Sequence, residues 1–122
     1  MLSTEDMKRN LTIYTCRGQI SVDEIKKKVK SFYEGTPSRN VIWDFTEADL
    51  SSITADEIRA LASGVKKLAH SREGGKTAIV APEDISYGFG RMYQIFAEIY
   101  AQIADIQVFR SRSEAERWLS DK

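Results

Sequence analysis

Asp44, Glu47 and Asp49 place three carboxylates within six residues, at the end of an apolar run, Asn40-Val-Ile-Trp-Asp-Phe45. Carboxylates grouped in this way can hold a cation, and open α/β sheets bind ligands beyond the carboxyl ends of their strands. The spacing is not that of an ordered Ca²⁺ loop. The plainer reading keeps Glu47 and Asp49 solvated and lets Asp44 brace the loop by accepting backbone N–H groups. A second unusual stretch is Tyr87-Gly88-Phe89-Gly90-Arg91. Two glycines in the first turns of a helix each cost about 1 kcal/mol against alanine, so a close backbone approach is expected to reward them. Arg91 near a helix N-terminus opposes the dipole, unless an anion or a carboxylate such as Glu83, Asp84 or Asp44 neutralises it. One reading is a phosphate-bearing ligand held by N–H groups and Arg91; the plainer one is close helix packing with an internal ion pair. The Gly-x-Gly is not a dinucleotide fingerprint, because Tyr93 stands where a third glycine belongs and Pro82 to Ser86 separate it from the preceding strand. His70 stands alone at a helix end, and Cys16 reads as a small core residue. Neither Cys–His zinc spacing nor a Gly-x-Ser-x-Gly elbow occurs. The chain advertises no catalytic constellation, cofactor or metal site, and the expectation is a non-enzyme.

The elements that must position these residues are announced by a helix-start signature written twice: Ile20-Ser21-Val22-Asp23-Glu24-Ile25 and Ile53-Thr54-Ala55-Asp56-Glu57-Ile58. Each has a hydroxyl N-cap, a Glu three positions on to close the capping box, and isoleucines at the staple positions. A first helix is expected from Ser21 to about Glu34, with Val22, Ile25, Val29, Phe32 and Tyr33 on its buried face and four lysines away from it. A second runs from Thr54 to about His70, with Ile58, Leu61, Ala62, Val65, Leu68 and Ala69 inward. Strands are expected at Leu11–Cys16 (ended by Gly18), Asn40–Phe45, Lys76–Ala81 and Ile106–Arg110. A polar loop, Thr46 to Ser52, follows the second of these. A third helix is expected over about Ser86–Ala104. Ser113 with Glu116 would cap a last short helix docked by Ala115, Trp118 and Leu119. Residues Met1 to Asn10 read as an edge strand or a loose arm. The β-then-α rhythm predicts one α/β domain over residues 1–122, a mostly parallel sheet of four or five strands flanked by helices.

Composition narrows the function classes. Eighteen basic residues balance eighteen acidic ones, so no electrostatic pull toward nucleic acid is implied. The single cysteine excludes an internal disulfide and suits a reducing, cytoplasmic setting. No apolar run approaches the roughly 20 residues of a membrane-spanning helix. The third helix carries more apolar residues than one stripe needs. Phe89, Met92, Phe96, Ile99, Tyr100 and Ile103 make one face, leaving Tyr87, Tyr93 and Ile95 on its flanks. Such a surplus suggests a partner surface or a homodimer contact.

Leu11-Thr-Ile-Tyr-Thr-Cys-Arg-Gly18-Gln-Ile20, then a helix, then Asn40-Val-Ile-Trp-Asp-Phe45, resembles the STAS domains of bacterial anti-sigma-factor antagonists. Ala78-Ile-Val-Ala-Pro82 running into Tyr87-Gly88 and Arg91-Met-Tyr93, and Val108-Phe-Arg110 before Glu114-Ala115 and Trp118-Leu119, are similar to small stand-alone STAS-like proteins. The resemblance covers the chain from about Leu11. It implies a STAS-like fold and a non-catalytic regulatory module acting through protein–protein contact. Asp44, Thr46, Ser52 and Asp56 are the candidate contact residues around the loop and helix start. In the antagonists a phosphorylated serine lies in an Asp-Ser-Ser-Gly run at that helix start. Here the run falls on Thr54-Ala55-Asp56-Glu57, so Asp56 or Ala55 occupies the switch position and phosphorylation there is not expected. By analogy with lipid-transfer domains, the alternative is a small anionic or lipid-like ligand between the loop after Asp44 and the Tyr87–Arg91 helix start.

Overall fold

The computed structural model describes residues 2–6, 10–66, 74–100 and 105–120. Five strands form one sheet in the order β1-β2-β3-β4-β5: Leu2–Asp6, Leu11–Gln19, Asn40–Asp49, Lys76–Val80 and Asp105–Phe109. β2 to β5 are parallel neighbours, and β1 joins antiparallel at the edge, with Thr4 opposite Ile13. The N-terminal segment is thus an edge strand rather than a loose arm.

Helices α1 (Val22–Glu34), α2 (Ala55–Lys66) and α3 (Asp84–Ile99) connect successive parallel strands, and α4 (Arg112–Ser120) follows β5. Three crossovers of one hand between sequential strands put three helices on one face. The core divides accordingly. Tyr14, Cys16, Val41, Phe45, Ile79 and Ile106 point to the α1–α3 side and pack with Ile25, Leu61, Val65 and Phe89. The alternate strand positions Leu11, Ile42, Ala78 and Val80 face α4, where Ala115, Trp118 and Leu119 dock as expected.

Both helix-start signatures form. Ser21 Oγ accepts from the Glu24 N–H at 3.3 Å, and at α2 the box is reciprocal: Glu57 N–H to Thr54 Oγ1 at 3.2 Å, Thr54 N–H to Glu57 Oε1 at 2.9 Å. The ends of α2 and α3 as read from the sequence, including His70 and Ile103, lie outside the described residues.

Four elements depart from expectation. β2 and β3 do not stop at Cys16 and Phe45 but continue to Gln19 and Asp49. The register shifts there, because Thr15 pairs with Asp44 while Arg17 pairs with Glu47, so β3 carries one extra residue. Polar residues beyond this bulge look like a loop to a hydropathy pattern. The cap of α4 is Ser111 rather than Ser113: its Oγ accepts from the Glu114 N–H at 3.3 Å and donates to Glu114 Oε1 at 3.0 Å. Both serines open an S-x-x-E pattern, and the earlier frame frees Glu116 to take Arg112 one turn away, at 3.2 Å.

The buried face of α3 is also rotated. Ser86, Phe89, Gly90, Gln94 and Ala97 are buried, whereas Met92 and Ile99, expected inside, are exposed. Small residues weigh little in a hydropathy pattern, and Gln94 is satisfied inside because its Nε2 donates to the Ile106 carbonyl at 2.7 Å. Gly90 sits so close to the sheet that a Cβ there would meet Val108 Cγ1 at 2.9 Å and Ile79 Cγ2 at 3.1 Å.

Candidate functional site

The carboxyl edge of the sheet is built from the β3 bulge outward. Asp44 Oδ1 accepts from the Thr46 N–H at 2.9 Å and from the Thr46 hydroxyl, which fixes the extra residue in place. Its Oδ2 takes Arg112 Nη1 of α4 at 3.1 Å. Past the bulge the strand resumes with an Arg17–Glu47 ion pair at 2.8 Å across β2 and β3. It ends at Asp49, whose Oδ1 accepts from the Ser51 hydroxyl at 2.6 Å and its N–H at 2.9 Å. Those two hydrogen bonds, the hydroxyl's foremost, hold the Asp49 carboxyl below its ordinary value. The turn closes with the Ile53 N–H on the Leu50 carbonyl at 3.1 Å, delivering Thr54 to the α2 cap.

Each of the three grouped carboxylates therefore has a partner: Arg112 and Thr46 for Asp44, Arg17 for Glu47, Ser51 for Asp49. Among the described residues no group of three His, Cys, Asp or Glu side chains is placed to hold a metal ion. Asp44 acts as the brace that the plainer reading assigned to it.

Between this turn and the start of α3 lies an open polar cleft of about 490 Å³, lined by Thr46, Glu47, Asp49, Ser51, Glu83 and Ser86 among others. Three of these are carboxylates, which disfavours an anion. Arg91 does not reach the cleft; its Nη1 donates to Gln94 Oε1 at 2.7 Å one turn along α3. The cation at the α3 start is instead Arg110, which the sequence reading did not single out. It bonds Asp84 Oδ1 at 2.8 Å and the Pro82 carbonyl at 3.1 Å, and lies 4.0 Å over the Tyr87 ring. Ser52 and Asp56 are exposed, Ser52 on the turn and Asp56 in the first turn of α2. Thr46 thus lines the cleft, Ser52 and Asp56 follow it on the exposed turn and helix start without lining it, Asp44 is held toward α4, and Arg91 lies apart. Arg110 and Arg112 reach partners 26 and 68 residues away, and no local spacing signals such pairs.

A second cavity, about 50 Å³ and mostly apolar, opens between α1, α2, α3 and the sheet. Tyr14 and Trp43 stack in its wall with centroids 4.4 Å apart, and Phe32, Tyr33, Phe45, Phe89 and Tyr93 complete the aromatic lining. Of the three expected dimer-contact residues, Tyr87 and Tyr93 are half-buried against the core, and only Ile95 is exposed.

A sheet with an antiparallel edge, three helices on one face and one on the other defines an α/β domain of the STAS fold. Its likeness is to the anti-sigma factor antagonist SpoIIAA in its unphosphorylated form: 98% of this chain and 100% of that one superpose with a TM-score of 0.50, at 15% sequence identity. At that identity the likeness establishes the fold. No protein-family model matches the chain, and no curated protein does. Among the described residues no helix is long and apolar enough to cross a membrane.

Proposed function

We propose that this domain is a non-catalytic regulatory module that acts through protein–protein contact at the β3–α2 turn. The observation that carries the reading is the exposed edge from Asp49 to Asp56, held rigid by the Asp49–Ser51 bonds and the reciprocal Thr54–Glu57 cap. A surface pre-ordered in this way loses little entropy on docking. The fold it shares with an anti-sigma factor antagonist supports a partner-binding role. With the antagonists' Asp-Ser-Ser-Gly run laid over Thr54–Glu57, Asp56 or Ala55 stands at the switch position, neither of which can be phosphorylated like serine, so contact here is constitutive and not phosphorylation-gated. The lone buried Cys16 suits a reducing, cytoplasmic setting. The test is affinity capture from the native host with wild type, Asp56→Lys and Ser52→Glu as baits. A stoichiometric protein retained by wild type and lost from both variants supports the reading. One retained equally by all three, or none at all, rules out this edge.

A second reading is a small lipid-like ligand beside Tyr14 and Trp43, which would have to part the aromatic lining to enter, because the cavity there is only about 50 Å³ against the roughly 300–1,000 Å³ of ordinary ligand sites. Native mass spectrometry of freshly purified protein tests it. A co-purifying mass lost on Trp43→Ala supports the cavity, and a bare chain that also ignores added fatty acid removes it.

A further inference from the structure

α3 presents Ile85, Met92, Ile95 and Ile99 to solvent at 64, 36, 49 and 67% exposure, with exposed Gly88 between them. The spacing 85-88-92-95-99 is 3-4-3-4, the seam of a helix that packs against another helix. We propose that this seam is the two-fold contact of a homodimer, in which α3 of one protomer runs antiparallel to α3 of its partner. Two observations select a second copy and this direction.

The first is charge. In heptad terms Ile85, Met92 and Ile99 occupy one core position, Gly88 and Ile95 the other. Arg91 and Glu98 then fall on the same flank, one heptad apart. In an antiparallel pair that flank meets itself, so Arg91 of each copy faces Glu98 of its mate and two ion pairs form about the axis. In a parallel pair Arg91 would meet the opposite flank, occupied by Phe89 and Phe96, and both charges would lose their partners. The opposite flank is itself closed, since the Arg59 guanidinium lies 5.2 Å over the Phe96 ring.

The second is the glycine. Among the described residues a Cβ at Gly88 would touch nothing within 4 Å, so no contact with them accounts for a residue that costs an exposed helix about 1 kcal/mol. Antiparallel register sets Gly88 against Ile99 of the mate and Met92 against Ile95. The large side chain fills the space the small one leaves, and the same layers recur on the other side of the axis. Parallel register would set glycine on glycine and leave a hole. The inference goes beyond the reading at the β3–α2 turn, because Arg91 and Glu98 do not line the cleft there; failure of one leaves the other standing.

A single helix pair is a small interface, so the dissociation constant is expected on the order of ten micromolar. Sedimentation velocity of the full chain across that range tests the proposal. Wild type should pass from monomer to dimer. Arg91→Glu should weaken association by about tenfold by turning both ion pairs into repulsions. Adding Glu98→Arg should restore it to within about threefold, because the exchanged charges pair again only in antiparallel register. Ile95→Glu should abolish the dimer while circular dichroism stays that of wild type. A wild type that remains monomeric at ten times the expected constant overturns the proposal, as does a dimer indifferent to Ile95→Glu. A double charge exchange no tighter than Arg91→Glu overturns the antiparallel register. If Ile95→Glu unfolds, the charge-exchange pair still decides.

Discussion

The two glycines of α3 should answer one substitution with opposite signs. At position 90 an alanine methyl would come within 2.9 Å of Val108 Cγ1 and 3.1 Å of Ile79 Cγ2. Val108 is β-branched and stiff at χ1, and Ile79 is buried in the centre of the sheet, so neither can swing aside cheaply. Forcing a methyl into a filled space costs about 1–3 kcal/mol, offset by about 1 kcal/mol of helix propensity gained over glycine. Gly90→Ala should therefore lose about 1 kcal/mol net. At position 88 the methyl meets nothing within 4 Å among the described residues, and only propensity remains, so Gly88→Ala should gain about 0.5–1 kcal/mol. Urea unfolding followed by tryptophan fluorescence, at about 1 µM so that self-association does not enter, reads both. With a urea slope of about 2 kcal/mol per molar, the two midpoints should differ by about 1 M. A Gly90→Ala variant more stable than wild type would mean that α3 stands further off the sheet than described. A destabilised Gly88→Ala would mean that its surroundings are not open.

Other substitutions discriminate further. Ser111→Ala should cost about 1 kcal/mol and Ser113→Ala less than about 0.5 kcal/mol in thermal unfolding, because the former caps α4; equal losses would refute the assigned frame. Burial pushes the Cys16 thiol from its ordinary 9.0 up to about 12. A disulfide reagent at pH 8 should leave the folded protein unlabelled and react in urea. Since only the unfolded thiol ionises above its ordinary value, stability should also fall as pH rises from about 9 toward 12, and a flat alkaline profile in a Cys16→Ala control would isolate that share. Tyr93→Glu should unfold the domain, by driving a charge against the core, whereas Ile95→Glu should not; matched melting curves would place Tyr93 on the surface. Ser51→Ala removes the hydroxyl bond but keeps the residue-51 N–H, so the Asp49 carboxyl should rise part of the way toward its ordinary value in a carbon-detected NMR titration. The Ser51 bonds stabilise the ionised, folded form, so their contribution is present above that ordinary value and fades as pH falls through the depressed one.

Legibility in the sequence followed the range of the forces involved. The helix caps at Ser21 and Thr54 involve partners three residues away, and both were readable from spacing alone. The alternation of β3, with Val41 and Phe45 on one face and Ile42 on the other, carried enough hydrophobic signal to place a strand covered on both sides. The bulge did not announce itself, because Thr46, Glu47 and Asp49 are polar and the ladder that holds them belongs to β2. α3 misled for a different reason. Its inward face depends on Gly90, Gln94 and Ala97, which no hydropathy scale marks as core. Its outward face is rich in isoleucine, which every scale does. At the edge of the sheet the roles of Arg110 and Arg112 come from chain segments brought together only by folding.

The choice of cap at α4 reaches the candidate site through one chain of contacts. Starting the helix at Arg112 and not two residues later puts that guanidinium in the first turn, where Nε bonds Glu116 and Nη1 reaches across to Asp44. A cation in a first turn is unfavourable to the helix dipole, and the two carboxylates around it reverse that sign. Asp44 in turn has both oxygens committed, one to Arg112 and one to Thr46. The bulge is therefore clamped from the α4 face while the residues it displaces, Glu47 to Ser51, are presented on the cleft side. α4 packs on the face of the sheet opposite α1, α2 and α3, so the edge that would meet a partner is set by a helix the partner need not touch. Variation in α4 can then tune the shape of that edge without altering a single contact residue.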